Sequence, residues 1–162
     1  MILAFILTAF LAGTDTEASL LELRKMYYAA SVDKEAAKRF LTVVNEQKSQ
    51  AVTVQAYRAM AYMLQAKYAF NPYAKMSNFK TGREILEKAV QRAPSNAELR
   101  FLRFSIQTNA PFFLNYSSNI SSDKQAILRG WKEINDADLK SRIKNYMLAS
   151  SECNEHEKSV FR

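Results

Sequence analysis

Along most of this chain apolar residues recur three and four positions apart with polar residues between them, the spacing of amphipathic helices rather than strands. Leu20, Leu23 and Tyr27 form the first such stripe, and Ser19 with Glu22 in "SLLE" fits a capping box, so the pattern predicts a helix beginning at Ser19. The polar "SVDKE" interrupts it. A second helix is predicted over 33–47, burying Ala37, Phe40, Leu41 and Val44. A third, over 51–69, places Tyr57, Met60, Ala61, Leu64 and Tyr68 on one face, with Ala56, Ala59 and Ala66 thinning its flanks for close helix approach. Asn71 and Pro72 suit a cap and a first-turn proline. They open a short helical turn ahead of a fourth helix over 77–93, which buries Phe79, Leu86, Ala89, Val90 and Ala93.

Pro94 ends that helix and "SNAEL" starts a fifth. In "NAELRFLRFSIQ" one stripe holds Leu99, Leu102 and Ile106, a second holds Phe101, Phe104 and Ser105, and Arg100, Arg103 and Gln107 make the third. Two apolar stripes require contacts on two sides, so this helix is predicted to be sandwiched with only its arginine edge showing. "TNAPFFLNYSSNISS" reads as a long loop because Pro111 forbids a simple helical continuation. Two further helices follow, over 123–134 with Ile127, Trp131 and Ile134 inward and over 136–149 with Leu139, Ile143 and Tyr146 inward. The expectation is an all-α chain of seven helices in antiparallel hairpins. It comprises one domain over 19–150 and a loose polar tail over 151–162.

Composition strengthens this picture. Only three glycines and three prolines occur in 162 residues, which disfavours a fold of short strands and tight turns. The opening "MILAFILTAFLAG" is uncharged up to Asp15, shorter than a bilayer-spanning helix, and of the length of a secretory signal's apolar region. It predicts a signal peptide over 1–18 and an extracytoplasmic location, periplasmic or secreted.

Gly82, Leu86, Ala89 and Pro94 carry the small, bulky, small and proline marks of the second helix of a tetratricopeptide hairpin, and Tyr28, Ala37, Leu41 and Val44 match an earlier copy. Over residues 18–95 the chain therefore resembles a degenerate tetratricopeptide repeat protein. The first copy has Ser49 where proline belongs, and Ala37 and Gly82 lie 45 residues apart against a repeat of about 34. The resemblance implies an α-solenoid or compact bundle whose concave face binds a peptide. In overall layout the chain is also similar to small exported bacterial proteins of unassigned function.

Charge narrows the partners. The net charge of +7 is spread over lysines and arginines interleaved with acids, as in "DKEAAKR", so no nucleic-acid stripe is expected. Cys153 and His156 are the single cysteine and histidine, which excludes an intrachain disulfide and falls short of a zinc set, and no metal or other cofactor is expected. Nucleophile-elbow, zinc-protease and phosphate-loop motifs are missing, so no catalysis is expected. If first helices line a concave surface, Arg58 and Tyr62 sit beside Arg100 and Arg103, a groove suited to an acidic peptide or protein partner. The alternative is a structural or envelope-associated helical protein that makes an apolar contact to a partner or lipid surface through the loop 110–116, "APFFLNY".

Overall fold

The computed structural model describes residues 14–162, with side chains from Leu20 onward. Among the described residues the chain is all-helical: α1 (Thr14–Val32), α2 (Lys34–Glu46), α3 (Val52–Tyr68), α4 (Pro72–Arg92), α5 (Ala97–Gln107), α6 (Ile120–Gly130), α7 (Ala137–Ala149) and α8 (Glu155–Ser159). Two single 3-10 turns, Phe112–Leu114 and Trp131–Glu133, join α5 to α6 and extend α6. Most of the predicted signal segment lies outside the described residues. None of the described helices is long and apolar enough to cross a membrane.

Capping sets most boundaries. Asp33, Asn71, Asn96 and Asp136 each accept a backbone N–H from the first turn of the helix that follows, which satisfies donors the helix itself leaves orphaned. Asn71 with Pro72 begins α4 directly, so the short turn and the fourth helix expected from the sequence are one continuous helix. Ser19 likewise lies inside α1, which starts at Thr14, well before the start a cap at Ser19 requires.

The packing forms two main cores and a small third cluster of Met63, Phe79 and Tyr116. Leu23, Phe40, Val44, Tyr57, Met60, Leu86, Val90, Leu99 and Leu102 close the first, drawn from α1 to α5. Phe101, Phe104, Ile127, Leu139, Ile143, Met147 and Phe161 close the second, drawn from α5 to the C-terminus. Helix α5 contributes to both, as its two apolar stripes require. Gly82 marks the tight α3 to α4 seam: a Cβ there would lie 2.9 Å from the Ala59 carbonyl oxygen and 3.2 Å from Met63.

The C-terminal segment is not the loose tail expected from its polarity. Asn154 and Glu157 form a reciprocal capping box that starts α8. Lys124 donates to the Glu152 carbonyl at 2.6 Å and pairs with Glu157 at 3.0 Å. Beyond α8, Phe161 is buried edge-on against Trp131, with centroids 4.9 Å apart, and Cys153 is buried beside it in the same core. A single phenylalanine next to the last position thus closes the second core. Phe161→Ala should lower stability by about 3–5 kcal/mol, the range for emptying a buried aromatic site, read as a drop in the urea midpoint. A change below about 0.5 kcal/mol, typical of surface positions, would mean that the segment is not docked.

Candidate functional site

The third stripe of α5 is not a solvent edge. Arg103 is 4% exposed and donates from Nε and Nη2 to both carboxylate oxygens of the fully buried Asp123, at 2.8 and 2.7 Å. Its remaining terminal nitrogen bonds Glu87 of α4, whose other oxygen accepts from Tyr116 at 2.6 Å. Arg100 adds a bond to Asp123 at 2.8 Å and another to the Pro94 carbonyl at 2.7 Å. Asp123 lies in the first turn of α6, where the helix dipole also favours its charge.

A second buried set sits one turn back on α5. Glu98 accepts from Arg24 of α1 at 2.7 Å on each oxygen and from the Tyr57 hydroxyl at 2.8 Å, while Arg24 also reaches Asp136 at 3.0 Å. The Arg24 guanidinium is held even more firmly protonated than usual, first by its bonds to Glu98.

Arg58 is occupied elsewhere. It donates to the Val44 and Gln47 carbonyls at the end of α2 and to Gln55, so it serves as that helix's C-terminal cap. Tyr62 is half-buried. The four residues expected to share one groove are therefore divided: Arg58 binds α2, Arg100 and Arg103 bind α6 and α4, all side-chain nitrogens of Arg58 and Arg103 are taken up internally, and Arg100 uses two of its three.

The concave feature lies elsewhere. A cleft of about 620 Å³ opens between α3, α4 and the segment after α5. Met60, Met63, Leu64 and Ala66 wall it from α3, Pro72, Met76 and Phe79 from α4, and Ile106, Ala110, Pro111, Phe113 and Leu114 from the far side. Tyr27 closes one end, and Lys67, Lys75 and Asn109 are its polar lining. The volume falls within the range of about 300–1,000 Å³ common for ligand sites, and unbranched methionines let such walls adapt to an occupant.

Local backbone chemistry explains the far wall. Pro111 leads into the 3-10 turn, and Asn115 then adopts φ 45°, the left-handed conformation asparagine tolerates better than most residues. That reversal sends Tyr116 inward, edge-on to Phe79 at 5.7 Å, and leaves Phe112 and Phe113 outside. Phe112 is 99% exposed, and Phe70 in the α3 to α4 link is 98% exposed. Tyr73, Met76 and Phe113 are also exposed, so apolar surface continues from the cleft onto its rim. Sequence reasoning marked 110–116 for its aromatics but missed the cleft. The signal available was charge: no Asp or Glu occurs from residue 47 to 83 or from 99 to 122, the two stretches that supply nearly all its walls.

Four tyrosine hydroxyls, Tyr27, Tyr28, Tyr57 and Tyr116, are raised by burial, of which Tyr57 and Tyr116 belong to the Glu98 and Glu87 networks, and this ties stability to pH. Burial raises the Tyr28 hydroxyl to about 12 and raises Tyr57 and Tyr116 as well, the latter two helped by the Glu98 and Glu87 carboxylates. The unfolded value is about 10, so between the two values the unfolded chain holds fewer protons and stability falls as pH rises. The urea midpoint should be level below pH of about 9 and decline above about 10, with a shallower decline in Tyr116→Phe; a midpoint flat to about pH 12 would contradict the assignment.

Among the described residues no three His, Cys, Asp or Glu side chains gather where they could hold a metal ion. No family model, curated protein or solved structure matches this chain.

Proposed function

We propose that this protein is a non-catalytic helical binding module whose working surface is the apolar cleft with its aromatic rim. The observation that carries this reading is an apolar cleft lined in part by exposed Phe113, with exposed Phe112, Tyr73 and Phe70 one or two residues along the chain from its lining residues Phe113 and Pro72. Contiguous exposed apolar surface beside a concavity is the usual mark of an interaction site. A small ligand enclosed by the cleft would leave the outer rings in water, so an extended apolar or amphipathic surface suits them better.

This shifts the binding site away from the arginine edge. A partner bound at Arg58, Arg100 and Arg103 would have to displace hydrogen bonds that now satisfy buried carbonyls and carboxylates, and removing one partner of a buried ion pair costs about 3–5 kcal/mol. The apolar contact through residues 110–116 carries no such cost. The tetratricopeptide-like reading of α1–α4 is kept as part of the proposal, supported by the small residues Ala37, Gly82 and Ala89 at buried positions. Function outside the cytoplasm is proposed on the sequence of residues 1–18 alone.

Anilinonaphthalene sulfonate, an apolar anion whose fluorescence rises on leaving water, tests the cleft directly. It should bind the native protein, and Ala110→Trp, which fills the cleft, should weaken binding about tenfold, a loss of about 1.4 kcal/mol. Arg58→Ala should leave it unchanged. Equal dye affinity in the Ala110→Trp protein would place the binding surface elsewhere.

A further inference from the structure

Resting on the cleft reading, we infer that the surface which occupies the cleft and rim is an anionic lipid membrane. Charge is the first argument. From Ala66 to Arg83 the chain carries Lys67, Lys75, Lys80 and Arg83 and no acid, and the segment from Leu99 to Ser122 carries none either. Lys67 and Lys75 line the cleft itself. The Lys67 ammonium donates to the Ser31 carbonyl, whereas the Lys75 ammonium has neither an ion pair nor a hydrogen bond among the described residues.

Placement of the aromatics is the second. Phe70 lies in the link between α3 and α4, and Phe112 and Phe113 lie in a 3-10 turn, so each ring is carried at a chain reversal rather than along a helix face. Rings projecting from turns, next to lysines whose stems are apolar and whose heads are charged, enter the boundary between headgroups and acyl chains while the ammonium groups meet lipid phosphates. Attachment of this kind is peripheral. The methionine-lined cleft behind the rings then accepts an acyl chain, and Lys75 at its edge meets the headgroup.

An acidic amphipathic helix from a partner protein would satisfy the same charges. It is the weaker fit because a helix laid in a groove needs anchor pockets along its length, whereas the most exposed rings here, Phe70 and Phe112, are outside the cleft lining.

Co-sedimentation of the full chain with vesicles tests the inference. Vesicles of phosphatidylcholine containing about one third phosphatidylglycerol should bind it about tenfold or more tightly than phosphatidylcholine alone, and raised salt should remove the difference. Residues 1–13 are themselves apolar, so the decisive comparisons are between variants of the same chain. Phe112→Ser with Phe113→Ser should weaken binding about tenfold; Lys67→Glu with Lys75→Glu should do so on anionic vesicles only. All four positions are exposed, and far-UV circular dichroism checks that the variants keep their helices. Equal binding to neutral and anionic vesicles, or no change in both paired variants, would overturn the inference. So would capture of an acidic amphipathic helical peptide by a chain that ignores vesicles. Dye binding that still depends on Ala110 in a chain that ignores vesicles would remove the lipid assignment and leave the cleft reading standing, whereas loss of both dependences would remove both.

Discussion

The structure depends on a helix that is largely buried on all sides. Two faces of α5 are apolar and belong to different cores, the third carries the buried Arg103 and Gln107 with the partly buried Arg100, and Glu98 is buried at the start of the helix away from that stripe. Buried charges are tolerable only when paired and hydrogen-bonded. Glu98 and Arg103 meet that condition by drawing groups from other helices, so each neighbour is held at a defined position. Arg24 brings in α1, Tyr57 brings in α3, Glu87 brings in α4 and Asp123 brings in α6. The apolar stripes supply most of the driving force and the charges fix which helix stands where.

The candidate site is a consequence of that arrangement. Because α5 is fixed between two cores, the chain leaving it at Thr108 must cross the end of the α3 and α4 pair before α6 can present Asp123. Asn115 turns the crossing segment so that Tyr116 anchors to Glu87, and the residues before it overhang α3 and α4. The overhang creates the cleft and leaves its phenylalanines in water. The polar chemistry is internal and structural, and the surface chemistry is apolar with a positive bias.

Helix identities were legible in the sequence because the stripes were long and capped. Ala37, Phe40 and Val44 are buried as their spacing predicts, as are Tyr57, Met60, Leu86, Ile127 and Ile143. The two-sided character of α5 was also visible. The fate of its polar stripe was not, because Arg103 reads as a surface residue until Asp123, twenty positions away, is known to face it. Phe161 was hidden for a similar reason: one aromatic in a polar run has no periodicity to reveal that it docks against Trp131. The local capping box at Ser19 is overridden by a longer helix, and the helix expected from residue 77 is continuous with the turn that Asn71 caps. The cleft lay beyond periodicity altogether, since it arises between segments, although the absence of acids along both stretches pointed toward it.

If α5 binds the two cores into one unit, neither core should melt alone. Trp131, the single tryptophan, reports on the second core, while far-UV circular dichroism reports helices throughout. Urea unfolding followed by both signals should give coincident transitions with one midpoint. A tryptophan transition separated from the loss of helix would show that the cores fold independently and that the buried pairs on α5 do not couple them.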